Sequence, residues 1–274
     1  MKRTAVVGLG IIGASTARAL KKAGFPVDGL DLNTETLQYA LQMGYIDGEA
    51  KDLTAYDAVF LAIPPKAAIS VLETANFSCG AFVTDLCGVK SCIEKAVYSK
   101  KRNYRYIGLH PMAGKETSGI KSSSATLFNG ANLVITISDY TDFSTIAEAR
   151  SFAAALGFGK IVECSADEHD RKIALTSQLA HIVSNAYVKS EQVAHCDGFT
   201  GGSFQDMTRI AGVDEHMWTE LYMLNDEYIL AELRGLISQL SVYERAIAER
   251  DEDALRAALA EGKAIRKKIK RKND

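Results

Sequence analysis

The sequence predicts an α/β fold in which a domain built on an open parallel sheet is followed by an all-helical domain. Strand-like apolar runs alternate with helix-like segments over residues 1–164, and this alternation is typical of parallel sheets. Residues 165–274 instead carry apolar side chains at helical spacing and contain no proline. We therefore place the domain boundary between residues 164 and 165.

The first strand is followed by a glycine-rich turn. Arg3–Val7 is a short apolar run that indicates a buried strand, and Ala14–Lys22 has the composition of a helix. Glycines between them permit a tight turn and bring a pyrophosphate close to the N-terminus of the helix. The pattern predicts a Rossmann dinucleotide-binding domain whose cofactor contacts Gly8, Gly10, Ile11, Ile12 and Gly13.

Asp31 ends the second predicted strand, Val27–Asp31, and lies 18 residues after Gly13. A carboxylate at this point can accept hydrogen bonds from the ribose of an adenosine, and it repels the 2′-phosphate of NADP. The following residues, Leu32–Thr34, include no arginine. We therefore expect NAD as the cofactor, unless a basic residue arrives from elsewhere in the fold.

Further strands and helices complete the predicted first domain. The strands are Ala58–Ile63, Ala81–Leu86, Tyr106–His110, Asn132–Ile137 and Lys160–Cys164, and the helices include Asn33–Met43 and Tyr140–Leu156. Ligands of such sheets bind outside the carboxyl ends of the strands. Pro64–Pro65, Asp85–Lys90 and His110–Gly114 directly follow strands, so we expect them to face the cofactor, Pro64 and Gly88 among its contacts.

The predicted second domain consists of long helices. Ser165–Glu168 has the acidic residues of a helix start, and later helices are predicted at Tyr228–Ala248 and Glu252–Lys268. In the first helix, one face carries Leu175, Leu179, Ile182, Val183 and Ala186, and another carries Ser177, His181, Ser184 and Asn185. Because these apolar stripes exceed what one small domain can cover, we expect a homodimer.

Bulk composition excludes several classes of protein. The net charge of −2 argues against a dedicated nucleic-acid binder. No leader-like segment and no run of 18 apolar residues is present, so we expect neither secretion nor a membrane span. The five cysteines form no CxxC pair, which favours reduced thiols in a cytoplasmic protein. No cluster has metal-ligand spacing, so we expect no metal.

His110 is the candidate proton acceptor. It is predicted at the carboxyl end of a sheet strand, directly before Pro111. A histidine there can simply cap the strand in a polar pocket, but a neutral imidazole beside a nicotinamide cofactor can also take the proton of a substrate hydroxyl as hydride leaves. We favour the second interpretation.

Two residues of the helical domain are candidate anion contacts. Arg209 lies in a glycine-containing segment predicted as a loop between helices, and a guanidinium can grip a carboxylate with two hydrogen bonds. His181 lies on the polar helix face, where a second anion contact and a histidine packed between helices are both open. Trp218 is predicted to pack near the same loop. The remaining histidines, His169, His195 and His216, have no comparable context.

These segments together resemble the prephenate dehydrogenase family, which includes arogenate and cyclohexadienyl dehydrogenases. The likeness covers essentially the whole chain, and its matching pieces are Val6–Gly13, Asp85–Lys90, Gly108–Glu116, Glu168–Arg171, Ser177–His181 and Phe204–Trp218. The resemblance implies a Rossmann domain followed by a helical dimerisation domain, and the NAD-dependent oxidative decarboxylation of prephenate. It implies His110 as the catalytic residue and Arg209 and His181 as substrate contacts. Glu116 and Trp218 match positions near the family's substrate entrance.

One position departs from the family pattern. Many members carry a serine where this chain has Gly88, and the hydroxyl helps to orient the histidine and the substrate. Arogenate is an alternative substrate. A 3-hydroxyacid dehydrogenase is disfavoured, because Lys189 and Lys172 are not followed by asparagine four residues later. A catalytically idle NAD-binding protein is disfavoured by the joint presence of His110, His181 and Arg209.

Overall fold

The computed structural model describes residues 2–114 and 117–269. By its internal contacts the chain divides into two compact units, Met1–Asn225 and Asp226–Asp274. The first unit holds the sheet, the helices that cover it and the first helices of the predicted second domain. The boundary placed at residue 164 stays a prediction.

Eight strands of the described chain form one sheet, with the order β3-β2-β1-β4-β5-β6-β7-β8. Their bounds are β1 Thr4–Val7, β2 Val27–Leu30, β3 Gly48–Glu49, β4 Ala58–Leu61, β5 Phe82–Asp85, β6 Arg105–Met112, β7 Asn132–Thr136 and β8 Lys160–Cys164. Neighbouring strands are parallel except for β6 and β7. The predicted α/β class is therefore confirmed.

Helices connect most of the strands and follow the sheet. Those of the first unit are α1 Ile11–Lys22, α2 Thr34–Gln42, α3 Pro65–Thr74, α4 Ser91–Tyr98, α5 Phe143–Leu156, α6 Ala166–Ile173, α7 Ala180–Tyr187, α8 Gly202–Thr208 and α9 Glu215–Met223. A π-helical turn, Ala174–Leu179, joins α6 to α7. The second unit is a helical pair, α10 Asp226–Ala248 and α11 Glu252–Lys268, in which the Tyr243 hydroxyl donates to the Ala258 carbonyl at 3.4 Å.

Strand side chains alternate between two cores, one on each face of the sheet. On one face, Val6 and Phe60 pack with the apolar side of α1 and α5, including Leu20 and Phe152. On the other face, Val59 packs with residues of α3 and α4. The sheet is thus covered on both sides, which leaves its strand ends as the places where ligands can approach.

The sequence predicts a parallel sheet, but one pair of neighbouring strands, β6 and β7, is antiparallel. β6 continues through His110 to Met112 and pairs with β7 in antiparallel register, with His110 opposite Val134. An antiparallel pair needs no crossover helix, and in the described part of the connection, residues 113–114 and 117–131, the regular element is a short 3₁₀ turn, Ile120–Ser122. His110 therefore lies within a strand and not after one.

Two predictions about the helical region are corrected. The sequence predicts Leu175 on the apolar face with Leu179, but Leu175 is 51% exposed and Leu179 is 6% exposed, because the π turn breaks the α spacing between them. Ala186, assigned to the same face, is also exposed. The segment before Arg209 is a helix, α8, and Arg209 forms its C-cap. No helix in residues 2–114 and 117–269 is both long and apolar enough to cross a bilayer.

Candidate active site

The glycine turn between β1 and α1 has the geometry of a dinucleotide cradle. Gly8 has a φ of +87°, which side chains other than glycine rarely adopt. A Cβ at Gly13 would overlap the Gly8 carbonyl oxygen, whereas a Cβ at Gly10 would meet no atom within 4 Å. Gly8 and Gly13 are thus needed for the turn itself, and Gly10 keeps open the space before the α1 N-terminus. A pyrophosphate fits this space, where the helix dipole and backbone N–H groups favour an anion.

Asp31 stands directly after β2 and is tied to the same turn. Its carboxylate accepts hydrogen bonds from the backbone N–H of Leu9 at 2.7 Å and of Asn33 at 2.8 Å. Each carboxylate oxygen has further lone pairs, so both remain able to accept ribose hydroxyls. Pro64 lies exposed after β4, and Ile11 and Ile12 open α1. All the predicted cofactor contacts of this turn therefore lie at the carboxyl edge of the sheet.

His110 is joined to a second histidine that sequence reasoning passed over. The Nδ1 atom of His110 lies 2.8 Å from Nε2 of His169, which comes from α6. The Nδ1 atom of His169 lies 2.7 Å from an Oδ atom of Asp170. His169 and Asp170 are both 1% exposed. The three side chains form a relay of hydrogen bonds, buried at His169 and Asp170 and part-buried at His110, which we call the His110–His169–Asp170 relay.

The relay determines which nitrogen of each ring carries a proton. A carboxylate only accepts, so Nδ1–H of His169 donates to Asp170 and its Nε2 keeps a lone pair. That lone pair must then accept from Nδ1–H of His110. The remaining nitrogen of His110, Nε2, therefore bears a lone pair in the neutral ring and can take a proton.

Asp170 is fixed by the N-terminus of α4. The backbone N–H groups of Lys90 and Ser91 donate to its two oxygens at 2.9 and 2.8 Å. Burial alone would raise the pKa of Asp170, but the hydrogen bonds from His169 and Ser91 lower it below its usual value. Asp170 is thus kept as an anion. Its fixed carboxylate accepts from Nδ1–H of His169 and so sets the orientation of that ring.

Burial sets the protonation of His110. Removal from water lowers its pKa well below the usual range, and the neighbouring His169 and Lys90 lower it further. Burial also lowers the pKa of His169, although the hydrogen bond to Asp170 opposes this effect. The imidazole of His110 is therefore a neutral base over a wider pH range than an unperturbed histidine.

Lys90 connects the relay to the sheet, because its backbone N–H donates to Asp170 and its side chain bonds to β5 and β6. Its fully buried ammonium donates to Asp85 at 2.5 Å and to the carbonyl of Leu109, the residue before His110, at 2.6 Å. Tyr106 donates its hydroxyl to the other oxygen of Asp85 at 2.6 Å. Gly108 leaves room for this lysine, since a Cβ there would lie 3.0 Å from Lys90 Cδ. Asp85 and Lys90 therefore serve as internal supports, although we had expected the whole segment to face the cofactor.

Gly88 lies beside the reactive nitrogen of His110. A Cβ on Gly88 would stand 3.8 Å from His110 Nε2 and 3.6 Å from Leu221 Cδ2, both ordinary contact distances. The φ angle of Gly88 is not positive. Glycine is therefore not required here for backbone geometry. Orientation of His110, which a family serine would assist, is provided by His169.

Helix α9 borders the site on the side of Gly88 that His110 does not occupy. Leu221 approaches Gly88, and Glu220 accepts from the Lys66 N–H at the start of α3 at 2.7 Å. One turn earlier, Trp218 stacks on His181 of α7, with ring centroids 4.0 Å apart and planes inclined by 34°. Trp218 and Leu221 share a helix face at i and i+3. The structure thus brings His181 and Trp218 to the same side of the site that reaches His110.

The backbone around Arg209 is anchored to α7, the helix that carries His181. On α7, Ser184 donates to the Met207 carbonyl at 2.7 Å and Asn185 donates to the Ala211 carbonyl at 3.0 Å. These two bonds fix the backbone on both sides of Arg209, whose side chain is exposed. Glu116, the remaining predicted substrate contact, lies outside the described residues. Within the described ranges, no three His, Cys, Asp or Glu side chains are grouped to hold a metal.

Sequence reasoning missed the roles of His169 and Asp170. Periodicity assigned His169 to no site, because its partner His110 lies 59 residues away in the chain. The signal that could have identified it was the Glu168–Arg171 segment, which carries family resemblance although no independent motif explains it.

Comparison with known proteins agrees with this geometry. Residues 16–162 match the nucleotide-binding domain of prephenate dehydrogenase, and residues 165–261 match its dimerisation domain. Prephenate dehydrogenase of Lactococcus lactis subsp. cremoris is 30% identical over 97% of this chain and 77% of its own length.

Solved structures give the same result. The crystal structure of Aquifex aeolicus prephenate dehydrogenase with hydroxyphenyl propionate and NAD+ is 27% identical, covers 98% of this chain and 99% of its own, and has a TM-score of 0.86. Synechocystis arogenate dehydrogenase is 28% identical, covers 97% and 99% of the two chains, and has a TM-score of 0.80. With a nucleotide-binding domain, a following dimerisation domain and this degree of likeness, the chain belongs to the prephenate dehydrogenase family.

Proposed function

We propose that this protein catalyses the NAD-dependent oxidative decarboxylation of prephenate to 4-hydroxyphenylpyruvate, with His110 as the catalytic residue. The observation that carries the proposal is the His110–His169–Asp170 relay, which leaves Nε2 of His110 as a proton acceptor beside Gly88 at the carboxyl edge of the sheet. A neutral, oriented imidazole is the group that oxidation of an alcohol requires.

The chemistry needs few groups from the protein. Prephenate carries a hydroxyl on C4 of a cyclohexadiene ring, and a carboxylate and a pyruvyl arm on C1. NAD+, when bound, supplies the hydride acceptor. Nε2 of His110 takes the hydroxyl proton as the C4–H bond breaks. The electrons of the bond between C1 and its carboxylate then flow into the ring, CO₂ departs, and the ring becomes aromatic.

The helical side of the site supplies the substrate contacts in this proposal. His181 and Arg209 bind the carboxylates of the substrate, and Trp218 and Glu116 border its entrance. A guanidinium can pair with a carboxylate in two parallel hydrogen bonds. The exposure of Arg209 and the anchoring of its backbone to α7 support this role.

NAD rather than NADP is the proposed cofactor. Gly8, Gly10, Ile11, Ile12 and Gly13 hold its pyrophosphate, Asp31 its adenosine ribose, and Pro64 and Gly88 border its nicotinamide end. The 2′-phosphate of NADP would meet the Asp31 carboxylate, which two backbone N–H groups hold in place. We expect kcat/KM for NAD to exceed that for NADP by about tenfold or more, and equal values would contradict the assignment of Asp31.

The protein also works as a homodimer in this proposal. The match of residues 165–261 to the family's dimerisation domain supports it, as do large exposed apolar side chains such as Leu230, Ile237 and Leu240 on α10. Light scattering at micromolar concentration should give the mass of two chains, and a monomer mass would contradict the proposal.

The substrate is tested by following NADH formation with prephenate and with arogenate, which differ only in the keto or amino group of the side arm. Prephenate is expected to have the higher kcat/KM. Turnover of arogenate alone would identify an arogenate dehydrogenase and overturn the substrate assignment. Absence of turnover with both, from a folded protein that binds NAD, would overturn the function.

A further inference from the structure

The π-helical turn between α6 and α7 carries an inference beyond the assignment of the site residues. The helix from Ala166 to Tyr187 contributes two histidines to the site, His169 before the turn and His181 after it. His169 faces β6, where it meets His110, and His181 faces α9, where it meets Trp218. Leu221 of α9 also lies near Gly88, with its Cδ2 3.6 Å from where a Gly88 Cβ would stand, beside His110. One side of one helix therefore supplies both imidazoles.

An uninterrupted α-helix would not place them on one side. His181 lies twelve positions after His169, and at about 100° per residue this offset leaves the two side chains about 120° apart. A π turn contains one residue more than an α turn. The extra residue therefore reduces the angle between the two side chains by about 100°, from about 120° to about 20°.

The burial pattern shows the same shift in register. Ile173 and Ala174 are buried, and the next buried positions are Gln178 and Leu179, five residues on in each case. Thr176, which α spacing from Ile173 would bury, is exposed. Five-residue spacing is the period of the π turn, so the extra residue lies between Ala174 and Gln178.

The same turn also orients the His181 ring. The Ser177 carbonyl, within the turn, lies 2.8 Å from Nδ1 of His181. A carbonyl oxygen only accepts, so Nδ1–H donates and Nε2 is the nitrogen that can meet a ligand. A second carbonyl near the turn, that of Lys172, accepts from the Thr176 hydroxyl at 2.9 Å. Side chains that bond backbone carbonyls in this way accompany local changes in helix geometry.

We propose that the π turn is a positioning element of the active site. It takes up the one residue that would otherwise rotate His181 out of line with His169, and its Ser177 carbonyl orients the His181 ring for ligand binding. The consequence for catalysis rests on the proposed function, because it assigns His181 to the substrate. The alignment itself does not depend on which substrate is bound. Its test can therefore be read in the protein without any ligand.

Two length variants test the alignment. Deletion of Thr176 should close the π turn into an α turn and leave the flanking helices in place, so that His181 stays in line. Insertion of one alanine between Leu175 and Thr176 should rotate α7 by about 100° relative to α6. Leu175→Ala, which changes an exposed side chain at the same place without changing chain length, is the matched control.

The direct readout is the proton NMR spectrum of the imidazoles, with histidine labelled by ¹³C. The sequence has five histidines and one tryptophan. The ring centroids of His181 and Trp218 lie 4.0 Å apart, so the indole ring current displaces the His181 signals. His181→Asn assigns them by their loss. We expect the displaced signals to persist in the deletion variant and in Leu175→Ala, and to vanish in the insertion variant.

Kinetics provide the second readout. The insertion should raise the KM for prephenate by about tenfold or more with NAD affinity unchanged, whereas the deletion should keep KM within about threefold. Loss of the displaced signals in a folded deletion variant, or their persistence in the insertion variant, would overturn the alignment. If the insertion variant does not fold, the deletion variant alone decides. Normal signals in an enzyme without prephenate turnover would instead refute the proposed function and leave the alignment standing.

Discussion

The two sides of the candidate site hold their functional groups in opposite ways. On the sheet side, His110 is joined to His169, and the supporting Asp85 and Lys90 are fully buried. On the helical side, Arg209 is exposed, and His181 is half-buried with one ring face on Trp218. A proton acceptor needs a fixed protonation state, and burial provides it. Groups that bind a charged substrate must remain accessible until the substrate arrives.

This comparison separates the kinetic effects expected on the two sides. Changes on the sheet side should act on the chemical step and lower kcat. Changes on the helical side should act on substrate binding and raise KM.

The largest expected effect is that of replacing His110. His110→Asn removes the proton acceptor but keeps a polar side chain of similar size, so kcat should fall by about 10²-fold or more. NAD affinity, measured by fluorescence titration, should hardly change. His195→Asn, at an exposed histidine remote from the relay in sequence, is the matched control. Near-full turnover of the His110 variant would remove this residue from the mechanism.

Arg209 should show the opposite kinetic pattern. Loss of a charged partner for a bound carboxylate costs about 2–5 kcal/mol, so Arg209→Ala should raise the KM for prephenate by about 30-fold or more. Steady-state kinetics of this variant and of Arg209→Lys would measure the effect, with Arg256→Ala as a control at an exposed surface arginine. An unchanged KM would show that the arginine is structural.

The pH dependence should reveal the burial of the sheet side. The pKa of His110 lies well below its usual value, so the folded protein keeps a neutral base as the pH falls through about 6.5, the value of an unperturbed histidine. The acid limb of the kcat/KM profile should therefore lie below pH 6.5. A limb at or above that value would contradict a buried, neutral His110.

Stability should change over the same range of pH. Below about pH 6.5, the unfolded chain binds protons at His110 and His169, while the folded chain resists protonation because both pKa values are lowered. The free energy of unfolding should thus include the full contribution of these two histidines above pH 6.5 and should fall as the pH decreases below it. Urea denaturation at neutral and at mildly acidic pH measures this change, and His110→Asn should reduce it. The same slope in the variant would count against the contribution of His110.

The smallest expected effect is at Gly88, where the two sides meet. A serine side chain fits, since its Cβ would make only ordinary contacts with Leu221 and His110, and His169 already orients the imidazole. Gly88→Ser should therefore fold normally and keep kcat/KM within about tenfold of the parent, or about 1.4 kcal/mol. Gly88→Ala separates the hydroxyl from the added carbon. A large fall in Tm with loss of NAD binding would show that glycine is needed for the backbone.

On the sheet side, the sequence predicted the fold but not the hydrogen-bond partner of His110. Short apolar strands and the Gly8–Gly13 turn identified the dinucleotide-binding fold, because these features are local in the chain. The partner of His110 was not predictable from periodicity, since His169 is remote in sequence and lies in a helix with no visible motif. The antiparallel β6–β7 pair was missed for a related reason: an apolar run does not encode its direction.

On the helical side, the sequence predicted the long helices but neither α8 nor the change in register between α6 and α7. The bounds of α11 agree with the predicted Glu252–Lys268. The π turn escaped prediction, since its widened spacing resembles an imperfect α pattern, and the expected face of Leu175 and Leu179 was therefore wrong. His181 and Trp218 were each singled out, but their stacking depends on α7 and α9 meeting in three dimensions.

The most direct test of the account is the tautomer of His110 in the free protein. Long-range ¹H–¹⁵N NMR of ¹⁵N-histidine-labelled protein at neutral pH distinguishes protonated from unprotonated ring nitrogens, and His110→Asn and His169→Gln assign the signals. Because Asp170 accepts from His169 and His169 accepts from His110, both histidines should carry their proton on Nδ1 and leave Nε2 unprotonated. A proton on Nε2 of His110, or a doubly protonated ring, would contradict the relay and its role in presenting a base.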